Sequence, residues 1–205
     1  MLPQEIAPGL LRWTAPHPEW TPAEVPGSSS DWDEMVGSTV YELPDRLILI
    51  DPLLPREGRG EFLEWLDARV AGRPVSILTT IRWHRRDRAE LARRYRGNAR
   101  TAWNMIPAGV RPFPLRGAGE TVYWLEAARA LVAGDTIIGA GPGAVSLCPE
   151  SWLGDVRVDR AGLAGLLEPL LELPLQYLLP SHGDPVSSGA LAALSRAIEE
   201  ARGRG

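Results

Sequence analysis

Leu78-Thr79-Thr80-Ile81-Arg82-Trp83-His84-Arg85-Arg86-Asp87 passes within ten residues from an apolar strand end to a cluster of ionisable groups. The apolar, β-branched run from Val75 to Thr80 reads as a strand, and it gives way at once to a polar segment carrying an imidazole and a carboxylate. A strand is rigid and the loop after it can aim a side chain into a cleft, so His84 and Asp87 are candidate functional groups. Three further segments follow the same pattern. The β-prone segment Arg46 to Asp51 ends on a carboxylate, Ala130 to Ala133 runs into Gly134-Asp135-Thr136, and Gln176 to Leu179 runs into Pro180-Ser181-His182-Gly183.

Upstream, Val36 to Leu43 and Arg46 to Asp51 flank the turn signal Pro44-Asp45 and read as a hairpin. Phe62, Trp65, Leu66 and Val70 fall at helical spacing over residues 57–71, closed by Gly72 and Pro74. Residues 88–96 read as a helix, Arg100 to Trp103 as a short strand, and the proline-rich stretch Pro107 to Pro114 as loop. A second hairpin is expected from Thr121 to Leu125 and Ala130 to Ala133. After a Gly141-Pro-Gly143 loop, the leucines from 163 to 171 mark a helix that Asp159 caps, and Leu191, Leu194 and Ile198 mark the last one. Residues 1–34, rich in Pro and Trp, read as an irregular arm, and 35–205 as one domain. Helices alternating with hairpins suggest an α/β fold, two sheets face to face with helices outside.

Composition narrows the chemistry. All 22 basic residues are arginine, which removes Schiff-base catalysis, a carbamylated lysine ligand and the lysine of a phosphate-binding loop. A net charge of -4 argues against nucleic acid as the partner and leaves a small molecule. Residues 82–100 run the other way, with eight Arg against Asp87 and Glu90, and read either as a solvated helix face or as a patch that attracts an anionic substrate. No apolar run is long enough to span a membrane, and the single Cys148 is expected to be an inert thiol in a soluble cytoplasmic protein.

In order and context these segments resemble the motif series of the metallo-β-lactamase fold. Leu49-Ile50-Asp51-Pro52 matches the early strand that ends on an aspartate. The family's His-x-His-x-Asp-His motif aligns with Arg82-Trp83-His84-Arg85-Arg86-Asp87, so that Arg82 stands for the first histidine, Arg86 for the aspartate and Asp87 for the last histidine. Its Pro-Gly-His-Thr motif is reduced to the segment from Arg116 to Thr121, where Glu120 is the nearest substitute for the histidine. Gly134-Asp135 matches the Gly-Asp motif and Ser181-His182-Gly183 the final Gly-His-Gly type motif.

The resemblance implies a four-layer αββα sandwich of metallo-β-lactamase type and a metal site drawn from His84, Asp87, Asp135 and His182. One family metal uses three histidines, and here that site would retain His84 and Asp135. The other would retain Asp87, Asp135 and His182, a set suited to one Zn, Mn or Fe ion and to hydrolysis by activated water. Asp87, Asp135 and His182 are then the catalytic candidates, Arg82 and Arg86 the substrate-binding ones, and Asp51 and Glu120 the supporting carboxylates. In the alternative reading no metal binds. Salt bridges from Arg82 and Arg86 to Asp87 and Asp135 replace it, and the cleft binds a ligand or partner.

Overall fold

The computed structural model describes residues 3–95, 106–153 and 158–203. The run Leu47-Ile48-Leu49-Ile50 shows how it is layered. All four side chains are buried, yet they alternate between two cores. Leu47 and Leu49 pack with Phe62, Leu66, Val70 and Leu91, whereas Ile48 and Ile50 pack with Tyr123, Leu125, Val132 and Leu179. A strand sends successive side chains to opposite faces, so an unbroken apolar run means that both faces are covered.

Strand β1 (Gln4–Ala7), β2 (Leu10–Pro16), β3 (Met35–Leu43), β4 (Arg46–Ile50) and β5 (Val75–Leu78) form one sheet in that order. Between β4 and β5 lies α1 (Arg59–Val70), whose buried Phe62, Leu66 and Val70 recur every four residues and face the sheet. Helix α2 (Arg88–Arg94) adds Leu91 to the same core.

The second sheet runs in the order β11 (Tyr177–Pro180), β8 (Ala130–Ala133), β7 (Glu120–Leu125) and β6 (Val110–Leu115). Its inner face meets the first sheet through Tyr123, Leu125, Ala130 and Val132. The outer face, with Val122, Trp124, Leu131 and Ala133, packs on helices α4 (Arg160–Leu167) and α5 (Ala190–Ala201). The three cores stack the chain as helix, sheet, sheet, helix, which is the expected αββα sandwich. A small hairpin, β9 (Ile137–Gly139) and β10 (Val145–Leu147), precedes the short helix α3 (Glu150–Leu153). Among the described residues no helix is long and apolar enough to cross a membrane.

Four local expectations are revised. Residues 4–16, expected in an irregular arm, form β1 and β2, because Leu11 and Trp13 face one core while Leu10 faces the other. Irregular chain begins only after Pro16. The stretch from Pro107 to Pro114, expected as loop, contains most of β6; this is an edge strand, where a missing N–H on the free side costs no ladder bond. The leucine-rich helix divides, with Asp159 capping α4 through Gly162 N at 2.7 Å and a 3-10 helix, Glu168–Glu172, following where Pro169 removes a donor. The strand expected from Arg100 to Trp103 lies outside the described residues.

Candidate metal centre

Two parallel strand pairs place the site. β4 and β5 run parallel in the first sheet, and β8 and β11 run parallel in the second. Asp51, the segment Thr80 to His84, Gly134-Asp135 and Ser181-His182 each follow the C-terminal end of one of these four strands. The sheets are joined at this end: Gly37 N donates to Ser181 O at 2.6 Å, and Thr121 N to Thr80 O at 2.8 Å. Four loops distant in sequence therefore meet at one rim.

His84, Asp135 and His182 converge there, each offering one ligand atom, and these atoms lie within 4.8 Å of one another. Asp135 Oδ1 stands 3.0 Å from His84 Nε2 and 3.3 Å from His182 Nε2. That oxygen is buried, and neither contact has hydrogen-bond geometry. Ligand atoms ~2.0–2.2 Å from a tetrahedral ion are about 3.3–3.6 Å apart; the donor set suits a divalent cation, and the 3.3 Å between Asp135 and His182 falls in that range.

The surroundings hold His84 and Asp135 by their other sides, whereas His182 Nδ1 is buried without a hydrogen-bond partner among the described residues. Asp51 Oδ2 lies 3.0 Å from His84 Nδ1, and Thr80 braces Asp51 by its amide at 2.8 Å and by its hydroxyl. A carboxylate behind a ligating imidazole fixes the ring and its tautomer, leaving Nε2 with its lone pair. Trp83 Nε1 donates to Asp135 Oδ2 at 2.7 Å and leaves Oδ1 as the free oxygen. Glu120, fully buried, accepts from Gly134 N, Asp135 N, Thr136 N and Thr136 Oγ1 at 2.8–2.9 Å, which fixes the turn that carries Asp135.

Two residues with left-handed backbone occur at the centre: Asp51 at φ 49° and Arg86 at φ 38°. Each is stabilised by the other, because Arg86 Nη1 donates to Asp51 O at 2.8 Å and to Gly37 O at 2.7 Å, and Arg86 Nη2 donates to Ser181 Oγ at 2.7 Å. His182 is positioned by a close backbone approach. Gly139 N donates to His182 O at 2.8 Å, and a Cβ on Gly183, itself at φ 76°, would stand 2.7 Å from Gly139 O. Only glycine fits there.

The electrostatics follow from this packing. Burial disfavours a charged His84, but the carboxylates of Asp51 and Asp135 outweigh it and push the ring up to about 9 in the metal-free protein. Burial likewise opposes ionisation of Asp135, yet the two imidazoles hold it well below the usual carboxylate range. Glu120 is raised by burial and by Asp135, while the hydrogen bonds from the Thr136 and Gly134 amides and the Thr136 hydroxyl act the other way and favour the anion. Burial pushes the Cys148 thiol up to about 12, in keeping with an inert group.

Several expected site residues are placed elsewhere. Asp87 is not in the cluster. Its carboxylate accepts from Leu54 N at 2.6 Å, so of the expected His84, Asp87, Asp135 and His182 the group that could hold a metal is His84, Asp135 and His182. Arg82 is exposed, lies over the Trp83 ring and lines a different cavity. Arg86 does line the cleft, but its terminal nitrogens serve a serine hydroxyl and two carbonyls, and among the described residues it makes no ion pair with Asp87 or Asp135. The expected salt-bridge replacement of the metal is therefore not formed.

The cleft is a cavity of about 340 Å³ whose walls the sequence motifs did not reveal. Trp32, Trp83, Trp152 and His17 line it, and the rings of Trp32 and Trp152 meet His182 edge-on at 5.7 and 5.2 Å. The irregular segment after β2 thus contributes a wall through His17, Glu19, Ser29 and Trp32. The high tryptophan content was the available signal, and it does not distinguish a cleft wall from a core.

Solved structures resemble this architecture over almost its whole length. DIM-1 metallo-β-lactamase exposed to ceftazidime is 14% identical with a TM-score of 0.61, over 97% of this chain and 96% of that one. FIM-1 from Pseudomonas aeruginosa, in its mono-zinc form, is 15% identical with a TM-score of 0.58, covering 98% and 95%. A metallo-β-lactamase from Erythrobacter litoralis is 15% identical with a TM-score of 0.59, covering 98% and 92%. No protein-family model and no curated protein matches the chain. The chain has the metallo-β-lactamase fold, in a sequence that has diverged far from these neighbours.

Proposed function

We propose that this protein is a hydrolase that uses one divalent metal ion, held by His84, Asp135 and His182, on a small molecule bound against the tryptophan walls of the cleft. One observation supports this reading above the others. Asp135 Oδ1 is buried without a hydrogen bond while two imidazole nitrogens face it at 3.0 and 3.3 Å. A divalent ion supplies Lewis acidity and lowers the pKa of water, which is the chemistry needed to open an ester, thioester or amide near neutral pH.

The chain supplies the remainder. Asp51 orients His84, Trp83 and Glu120 orient Asp135, and the three tryptophans exclude water from the reacting bond. Arg86 keeps Asp51 and Ser181 in place and adds a buried positive charge beside the reacting group. The apolar walls favour a substrate with an aromatic or aliphatic body. The fold does not select the scissile bond.

A second reading has its own support. His84 lies 3.0 Å from a carboxylate oxygen of Asp51 and 3.0 Å from one of Asp135, so in the metal-free chain a charged imidazole is ion-paired on both sides, which would leave a binding cleft without hydrolytic chemistry. Elemental analysis of protein purified without chelator or affinity metal separates the two. About one equivalent that is lost in His182→Ala supports the hydrolase and justifies an ester and thioester screen. Folded protein that takes up no added Zn, Mn or Fe refutes it.

A further inference from the structure

At the strand end that carries Thr80 lies a second cavity of about 260 Å³, which shares no lining residue with the metal cleft. Arg82, Arg85 and Arg88 line it, together with Thr79 and Thr121, and among the described residues no Asp or Glu does. Arginines of like charge repel one another across a common space unless a counter-ion offsets them. Among the described residues Arg82 and Arg85 form no ion pair with the nearby carboxylates. Asp87 accepts from Leu54 N, Glu90 pairs with Arg59, Asp51 serves Thr80 and His84, and Glu120 serves the 134–136 amides. From residue 86 to 119 the sequence holds no carboxylate besides Asp87 and Glu90.

We propose that this cavity is a binding site for a phosphate-type oxyanion, separate from the metal cleft, with Arg82, Arg85 and Arg88 as its cationic wall and Thr79 as a hydroxyl donor. Guanidinium groups match such an anion because their planar N–H pairs align with its oxygens. Arg85 makes no side-chain hydrogen bond or ion pair among the described residues, and Thr79 Oγ1 has no hydrogen-bond partner there. Arg82 and Arg85 are exposed, so each can turn onto a ligand without disturbing the core. Arg88 is held lower in pKa by burial and by Arg85, the signature of crowded positive charge. The cavity admits free phosphate or the phosphate end of a larger molecule. A nucleic acid strand fits poorly with its size and with the net charge of -4.

The test is calorimetric titration of the full chain with inorganic phosphate, before and after metal removal, against chloride at matched ionic strength. Saturable one-to-one uptake that persists without metal and weakens about tenfold or more in Arg85→Gln and in Arg82→Gln is the expected result. Circular dichroism of both variants should match the parent, since neither side chain is buried. Absent saturation, uptake matched by chloride, or uptake untouched by both substitutions would overturn the proposal. So would uptake lost on metal removal, which assigns the phosphate to the cleft. Binding of a single-stranded oligonucleotide without saturable phosphate uptake would overturn it too, making this face a polyanion surface.

Discussion

Replacing Glu120 by Gln tests whether the buried carboxylate organises the turn that carries Asp135. Its oxygens accept four hydrogen bonds at 2.8–2.9 Å, three of them from backbone amides. In Gln one oxygen becomes an NH₂ group. With the remaining oxygen on Asp135 N and Thr136 N, the NH₂ faces Gly134 N–H, and only the Thr136 hydroxyl can turn to accept. One buried donor is orphaned, at about 1–3 kcal/mol, and each of the three surviving bonds loses roughly 1 kcal/mol of charge assistance. Relief of Glu120 desolvation and of its repulsion with Asp135 offsets roughly 1–2 kcal/mol of this, leaving a loss of about 2–5 kcal/mol. For a chain of this size that lowers Tm by roughly 4–20 °C, read by calorimetry and by urea unfolding of metal-free protein. A change below about 1 kcal/mol in both measurements would refute the reasoning, because the four bonds would then add little to an ordinary buried polar group.

Asp51→Asn should weaken metal binding by about 10–100-fold while leaving about one equivalent at saturation, measured by competition with a chromogenic chelator; unchanged affinity would show that Asp51 does not orient His84. Trp83→Phe should preserve Tm within a few degrees, since the side chain is 51% exposed, yet weaken metal binding several-fold by freeing Asp135 Oδ2. The His84 ring, raised above its unfolded value of 6.5 to about 9, stabilises the metal-free fold fully below pH 6.5, and that stabilisation is lost as pH rises through about 9. Metal-free protein should therefore unfold at lower urea at pH 9.5 than at pH 6, and His84→Gln should flatten the difference.

The strands, the four loops that follow them and three of the metal-site residues were legible in the sequence because each rests on local information. An apolar run that ends abruptly in a polar residue marks the rim of a sheet wherever the sheet lies, and His84, Asp135 and His182 stand directly after such runs. Side-chain direction inside the turn from Ile81 to Asp87 was not legible. Arg82 and Arg86 are equivalent in composition and spacing, yet the left-handed φ of 38° at Arg86 sends its guanidinium to Gly37, Asp51 and Ser181, while Arg82 stays outside over Trp83. Asp87 is turned to the Leu54 amide in a loop more than 30 residues away in sequence. The partners that fix these directions lie on other strands, and nothing within the turn encodes them. The tryptophan walls have the same origin: Trp32 and Trp152 are separated by most of the chain and meet His182 only because the two sheets close on each other.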